Sequence, residues 1–254
     1  MSRAVLVTGA SSGIGQAVAA TMAGVAGPLF IAGRDPGRLM TVARGHGAIP
    51  LTVDVTDSAA VHAMASAVAA EAGHLDVLIN CAGQLEVGPA ETLGPEVAER
   101  LMRVNFLGTV AVIHACLPLL RRGHAPVIVN VASVAGRMAP PYMAAYAASK
   151  FAVSGYTAAL RQELRPVGIH VALVLPGPVD TPMVSGRLGG PHYPLPPGVP
   201  VLTSGRVAQV IRTVIENRIS EVVVPSRLAL AIRLGSAFPE MVDYLYRAVH
   251  RARS

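Results

Sequence analysis

The sequence is poor in the residues that mark several common classes of protein. It has no tryptophan, 4% aromatic residues and 14% charged residues among 254, whereas an average globular protein has about 25% charged residues. Disordered segments and coiled coils need far more charge, so both classes are excluded. A chain of this length can bury one large apolar core. No composition shift or linker divides its first 180 residues, so we predict a single domain over residues 1–254. The scarcity of charge favours a homo-oligomer.

Cysteine is also scarce. Cys81 and Cys116 are the only two, each within an apolar run, and one pair in a chain of this length is no disulfide framework. We therefore expect a reducing, cytoplasmic location. The first nine residues contain too short an apolar stretch for a secretory signal. No uncharged apolar run of about 18 residues occurs, so no transmembrane segment is predicted.

The net charge of +6 is not concentrated in a way that nucleic acid would require. The arginines are spread singly or in pairs, and few aromatic side chains accompany them, so no nucleic-acid partner is predicted. The eight histidines show no H-E-x-x-H spacing, and we predict no metal site. Among the 21 lysines and arginines, Lys150 is the only lysine.

Runs of β-branched residues alternate with alanine-rich segments of helical length. This alternation is typical of βαβ units and of a parallel sheet covered on both faces. The predicted strands are Ala4–Thr8, Leu29–Ala32, Ile49–Val53, Val77–Asn80, Val127–Val131, His170–Leu175 and Glu221–Val224.

Two segments near the C-terminus depart from this alternation. Glycine and proline are concentrated in residues 185–200, which should resist regular structure. We predict a flexible lid over a substrate at about residues 184–203. The tail, residues 225–254, is predicted to contain an amphipathic helix with Met241, Val242 and Leu245 on its apolar side. Such a helix could dock on the core or on a sister subunit, or a basic one could contact a membrane surface.

A glycine-rich turn follows the first predicted strand. Gly9, Gly13 and Gly15 precede a helical run, and a helix N-terminus presents free N–H groups and a positive dipole end to a pyrophosphate. The second strand ends at Gly33, followed by Arg34. An arginine at this place accommodates the 2′-phosphate of NADP, whereas a carboxylate would bind the free ribose of NAD. We interpret Asp35, which precedes a proline, as a helix cap, and predict NADP rather than NAD.

Tyr146 and Lys150 lie four residues apart on a predicted helix, so both side chains lie on one face. A phenol is a poor base at neutral pH unless a nearby cation stabilises the phenolate, and Lys150 is such a cation. Ser133, which follows the fifth predicted strand, is placed to reach the same carbonyl group as Tyr146. A serine in that position is also a common turn former.

Taken together, these motifs resemble the short, single-domain branch of the short-chain dehydrogenase/reductase family. The similar segments are Thr8-Gly9-x-x-x-Gly13-x-Gly15, Asp54-Val55, Asn80-Cys81-Ala82-Gly83, Asn105, Ser133, Tyr146-x-x-x-Lys150 and the segment from Pro176 to Met183. Cys81 departs from the family pattern, which has asparagine there. The resemblance implies a doubly wound Rossmann fold, an α/β architecture with seven parallel strands and helices on both faces, and commonly a dimer or tetramer.

The resemblance also implies roles for single residues. Cofactor contacts are implied for Gly9, Ser11, Ser12, Gly13, Ile14, Gly15, Arg34, Asp54, Val55, Asn80, Ala82, Gly83, Tyr146, Lys150, Pro176, Gly177, Val179 and Thr181. The catalytic residues would be Asn105, Ser133, Tyr146 and Lys150. Tyr146 would pass a proton to or from the substrate oxygen, which Ser133 would also bind. Lys150 would lower the pKa of Tyr146, and Asn105 would position a water molecule.

The implied activity is hydride transfer between a nicotinamide and a carbonyl or alcohol carbon. Apolar side chains in and beside the lid lead us to expect an apolar carbonyl or alcohol as the small-molecule substrate. Those side chains are Met183, Val184, Leu188, Tyr193, Leu195 and Val199. The alternative is a non-catalytic, NADP-binding regulatory protein, because a fold does not imply a function.

Overall fold

A computed structural model describes residues 3–193, 195, 198–230, 232 and 240. Its main sheet is parallel, with seven strands in the order β3-β2-β1-β4-β5-β6-β9. These strands are β1 (Arg3–Thr8), β2 (Ala26–Gly33), β3 (Ile49–Thr52), β4 (Val77–Asn80), β5 (Val127–Val131), β6 (His170–Pro176) and β9 (Glu221–Val224). The predicted doubly wound, seven-stranded sheet is confirmed.

Helices cover both faces of this sheet. They are α1 (Gly13–Met22), α2 (Pro36–His46), α3 (Ser58–Ala72), α4 (Pro95–Leu101), α5 (Gly108–Leu120), α6 (Ala144–Leu164) and α7 (Ser204–Asn217). Val5 and Val7 of β1 belong to the core under α1, α2 and α7, whereas Leu6 belongs to the core under α3, α5 and α6. Because successive strand side chains point to opposite faces, a continuous apolar strand supplies both cores.

The chain reverses direction across the sheet between β3 and β4. Strands β1, β2 and β3 follow one another towards one edge of the sheet. Strand β4 then pairs with the other side of β1, where Thr8 lies opposite Asn80. In doubly wound sheets the crevice outside the carboxyl ends at such a switch point is where ligands bind. The turns that follow β1 and β4 therefore enclose the expected site.

The predicted lid, residues 184–203, begins and ends beside a short two-stranded sheet. Two short strands, β7 (Val179–Asp180) and β8 (Leu202–Thr203), pair in parallel and tie its ends together. β8 forms the last two residues of the predicted lid and lies outside residues 185–200, the stretch expected to resist regular structure. Turns make up most of the described lid. The predicted amphipathic helix around Met241 lies outside the described residues.

Asp35 caps α2 as expected. Its Oδ1 accepts a hydrogen bond from the backbone N–H of Arg38 at 3.0 Å, and Pro36 occupies the first turn of the helix. The Asp35 carboxylate therefore interacts with α2. Arg34 is the remaining charged side chain at the end of β2.

The helix from Pro95 to Leu120 is long and apolar enough, by length and composition, to cross a bilayer. It is made of α4, a π-helical turn (Met102–Leu107) and α5. In its most apolar window the mean hydropathy is 1.5, and 44% of that window is buried inside the protein. Because core helices of globular proteins meet the same criterion, this helix is compatible with the predicted absence of a transmembrane segment. That absence stays a prediction.

Candidate active site

A cleft of about 670 Å³ opens at the carboxyl ends of the strands, within the size range of small-molecule sites. Most of the predicted site residues line it. They are Gly9, Ser11, Ser12, Gly13, Ile14, Gly15, Arg34, Asp54, Val55, Ala82, Gly83, Ser133, Tyr146, Pro176, Gly177, Val179 and Thr181. Three predicted residues do not line it: Asn80, Asn105 and Lys150 are buried beside it.

The glycine turn after β1 is shaped by close backbone approaches. Gly9 has φ +66°, and a Cβ on it would lie 2.7 Å from the backbone N and Cα of Ala82. A Cβ on Gly15 would overlap the carbonyl oxygen of Gly9. Only glycine fits either position, and the turn consequently packs directly onto the segment that follows β4.

The N-terminus of α1 faces this turn. Ser12 is its N-cap, with an extended backbone, and within the described residues its side chain accepts no hydrogen bond from the first turn. The first N–H groups of a helix have no intrahelical acceptor, so these groups remain available to a phosphate. The residues present therefore fit the pyrophosphate of a dinucleotide.

Arg34 and Asp54 lie at the far end of the cleft, after β2 and β3. Arg34 Nη1 lies 4.0 Å from Asp54 Oδ2, and Asp54 Oδ1 accepts hydrogen bonds from the N–H and the hydroxyl of Thr56 at 2.9 and 2.8 Å. Burial raises the pKa of Asp54, but the two hydrogen bonds and the Arg34 charge outweigh it and leave the pKa below its ordinary value. Asp54 is therefore ionised at neutral pH.

At the other end of the cleft, α6 carries Tyr146 in its first turn and Lys150 one turn later. Lys150 is 6% exposed, and its Nζ donates to the carbonyl oxygen of Val131 at 3.2 Å and lies 5.9 Å from the centroid of the Tyr146 ring. Ser133 begins a short 3₁₀ turn, where its Oγ accepts from the N–H of Ala135 at 3.1 Å. The structure thus brings three of the four predicted catalytic side chains to one end of the cleft.

Burial dominates the titration of the tyrosine and the lysine. It raises the pKa of Tyr146 well above its ordinary value; a hydrogen bond with Ser133 lowers that pKa in part, and the Tyr193 phenol of the lid raises it further. Burial lowers the pKa of Lys150 to about 8, against a smaller opposing influence of Cys81. We expected Lys150 to depress the pKa of Tyr146, but in this structure the loss of solvation outweighs any such effect.

Asn105 lies in the π-helical turn between α4 and α5. Its Oδ1 accepts from the N–H of Gln84 at 2.7 Å, and its Nδ2 donates to the Gln84 carbonyl oxygen at 3.0 Å and to Ser149 Oγ at 2.9 Å. The side chain therefore braces the segment after β4 against α6. The expected role in positioning water is not visible in these contacts.

Asn80 also faces the interior rather than the cleft. Its Nδ2 donates to Asn130 Oδ1, and Asn130 Nδ2 donates in turn to Thr157 Oγ1, both at 2.9 Å. This buried chain links β4, β5 and α6 behind the cleft. Any cofactor contact of Asn80 must therefore come from its backbone.

The predicted lid contributes Val184 to the cleft and contacts the loop after β4. Arg187 Nη1 donates to the carbonyl oxygen of Leu85 at 3.1 Å and lies 3.6 Å from Glu86 Oε2. His192 packs against Tyr142 with ring centroids 5.2 Å apart. Our sequence analysis missed these contacts and the part played by Gln84, because each joins loops far apart in the chain and no local motif marks them.

Within the described residues no group of three or more His, Cys, Asp or Glu side chains is placed to hold a metal ion. Cys81 and Cys116 are free thiols. Burial raises the pKa of each to about 12, so both remain protonated at neutral pH.

The chain is similar in sequence to short-chain dehydrogenases. A family model described as short chain dehydrogenase matches residues 3–188. The chain is 37% identical over 183 residues to a 3-ketodihydrosphingosine reductase of Bacteroides thetaiotaomicron, covering 72% of this chain and 66% of the reductase. It is 39% identical over 200 residues to human 17-beta-hydroxysteroid dehydrogenase type 1, covering 74% of this chain and 60% of that enzyme. The matched segments thus span at most two thirds of either relative.

Solved structures match over nearly the whole chain. A short-chain dehydrogenase/reductase of Burkholderia phymatum in complex with NAD superposes with a TM-score of 0.83 at 27% identity, covering 94% of this chain and 95% of that one. A short-chain dehydrogenase of Burkholderia cenocepacia in complex with NADP gives a TM-score of 0.82 at 29% identity, covering 96% and 97%. Similar structures therefore bind either nicotinamide dinucleotide.

Gly9→Ala is expected to abolish dinucleotide binding, because its Cβ would push the segment after β4 away from the turn. Gly47→Ala is the matched control: Gly47 also has a positive φ, +62°, but no atom of the described residues lies within 4 Å of its Cβ position. Gly47→Ala should lose about 1 kcal/mol of stability through backbone strain, and Gly9→Ala should lose more, because its Cβ also overlaps the Ala82 backbone. Isothermal titration with NADPH and NADH, alongside urea unfolding, tests this. Equal dinucleotide affinity in the two variants would contradict it.

The single lysine makes its titration directly measurable. Protein labelled with ¹³Cε-lysine should give one lysine resonance, whose midpoint is expected near pH 8 rather than at the ordinary value of 10.5, because burial disfavours the ammonium. NMR spectra recorded from about pH 6 to about pH 11, a range that includes both values, would measure this midpoint. A midpoint at the ordinary value would show that Lys150 is solvated.

Proposed function

The chain belongs to the short-chain dehydrogenase family, and from this premise we propose that it is an NADP-dependent oxidoreductase that reduces the carbonyl group of an apolar substrate. Membership makes it an oxidoreductase with a nicotinamide cofactor. The observation that carries the proposal is that Ser133, Tyr146 and Lys150 converge at one end of the cleft. The glycine turn after β1 lines the same cleft.

The bound cofactor supplies the hydride, and the residues of this chain manage the proton and the orientation. A phenol is protonated at neutral pH, and the raised pKa of Tyr146 leaves it so, as a general acid for reduction requires. Ser133 can donate a hydrogen bond to the same substrate oxygen. The Lys150 ammonium lies beside the Tyr146 ring and favours the phenolate as the proton leaves.

The preference for NADP is supported by the charges at the end of β2. The Asp35 carboxylate caps the N-terminus of α2, and its Oδ2 lies 3.2 Å from Arg38 Nε. Arg34, whose side chain is 58% exposed, lines the cleft. An accessible guanidinium suits a 2′-phosphate, which it can bind through two parallel hydrogen bonds.

An apolar substrate is supported by the lining of the cleft beside Ser133 and Tyr146. Leu85, Met183 and Val184 contribute apolar surface there. Two of the relatives are named for reactions at a keto or hydroxyl group of a sphingoid base and of a steroid. Both are largely hydrocarbon, so a long-chain or polycyclic ketone is the class we propose.

We also propose a homodimer or homotetramer, located in the cytoplasm. Leu107 and Phe151, on the π-helical turn and on α6, are 52% and 43% exposed, and burying them against a second copy would be favourable. The two free thiols support a reducing location.

Tyr146→Phe is expected to lower kcat/KM for ketone reduction by about 10² to 10⁴, the usual contribution of a general acid. NADPH affinity should remain close to that of the wild type, because the ring is kept. The assay follows NADPH absorbance with long-chain 3-ketones and ketosteroids, with sugars as polar controls. Tyr156→Phe, on the same helix but packed on Phe106, is the matched control.

Three results of this assay would count against the proposal. Retained activity in Tyr146→Phe would exclude the tyrosine as the acid. Activity confined to sugars would exclude the apolar substrate. Tight NADPH binding without turnover of any ketone would favour the non-catalytic alternative.

Arg34→Ala is expected to weaken NADPH binding roughly 10- to 100-fold, since a hydrogen bond to a charged group contributes about 1.5 to 3 kcal/mol. NADH binding should change little. Arg44→Ala, an exposed arginine on α2 that does not line the cleft, controls for the loss of one positive charge. Titration of the three proteins with both cofactors measures this, and equal losses for NADPH and NADH would contradict the 2′-phosphate assignment.

A further inference from the structure

Gln84 joins the two sides of the cofactor cleft. It directly follows the Asn80–Gly83 segment after β4, and its side-chain amide meets the guanidinium of Arg34 after β2. With the amide oxygen facing the guanidinium, Oε1 accepts from Arg34 Nη1 at 3.0 Å and from Nη2 at 3.1 Å. This orientation follows from the hydrogen-bond network, because a guanidinium has only donors. As β1 lies between β2 and β4, the contact crosses above the carboxyl end of β1.

The backbone of Gln84 is held independently of this contact. Both its N–H and its carbonyl oxygen are bonded to the side chain of Asn105, at 2.7 and 3.0 Å. Asn105 is in turn bonded to Ser149 of α6. The Gln84 amide therefore extends from a fixed support, and replacing the side chain leaves these backbone hydrogen bonds available.

The chemistry of the partner decides what Arg34 can still bind. A carboxylate would neutralise the guanidinium and compete with a phosphate for it, as Asp54 does partially from 4.0 Å. A neutral amide orients the guanidinium through hydrogen bonds and leaves its positive charge in place. Held by Gln84 on one edge, the guanidinium keeps its remaining N–H groups for an anion.

We propose that Gln84 is a cofactor-specificity residue, whose neutral amide positions Arg34 over the cleft so that the guanidinium receives the 2′-phosphate of NADP. This inference rests on the proposed NADP preference and adds a residue that acts through Arg34.

The test uses 2′,5′-ADP and 5′-ADP as probes, because they differ in the 2′-phosphate and need neither nicotinamide nor turnover. Isothermal titration of the full chain gives the ratio of their affinities. Gln84→Met, which keeps the length but removes the acceptor, should reduce this ratio roughly threefold, and Gln84→Glu, which adds a competing carboxylate, roughly tenfold. In the Arg34→Ala background, Gln84→Met should have no further effect on the ratio.

Glu86→Gln is the matched control, because Glu86 lies on the same loop but faces Arg100 and Arg187. It should leave the affinity ratio unchanged. An unchanged ratio in both Gln84 variants, or equal losses for the two probes, would overturn the role of Gln84 and leave the NADP preference standing. Equal binding of the two probes by the wild type would overturn the NADP preference together with this role.

Discussion

Gly9 and Ala82 approach so closely that a single methyl group on Gly9 would collide with the Ala82 backbone at 2.7 Å. This contact fixes the distance between the turns after β1 and β4, and the cleft opens at the place where they meet. The N-terminus of α1, the end of β2 and the start of α6 are all positioned relative to that pair of turns. The glycine therefore determines the shape of the site as well as the conformation of its own turn.

Behind the cleft, buried polar side chains hold the layers in register. Asn80, Asn130 and Thr157 connect β4 and β5 to α6, and Asn105 connects the segment after β4 to Ser149. Each of these groups would be costly to bury without a partner. The hydrogen bonds from Asn130 to Thr157 and from Asn105 to Ser149 hold α6 in position, and with it the direction in which Tyr146 faces the cleft.

Burial also sets the chemistry of the site. The same loss of solvent that raises the pKa of Tyr146 lowers that of Lys150, because water is removed from a group that would be an anion and from one that is a cation. The raised pKa favours the protonated phenol of Tyr146, and the lowered pKa makes the Lys150 ammonium more acidic than usual.

The sequence by itself determined the fold class, the glycine turn and the Tyr146–Lys150 pair, because each depends on local spacing: strand periodicity, a strand–turn–helix junction and one helical turn. Tertiary structure alone decided the Gln84–Arg34 contact, the brace formed by Asn105, the pairing of β7 with β8 and the direction of the Tyr146 pKa shift. Contacts between distant loops, and the extent of burial around one phenol, depend on how the layers pack, and no local pattern of residues encodes either.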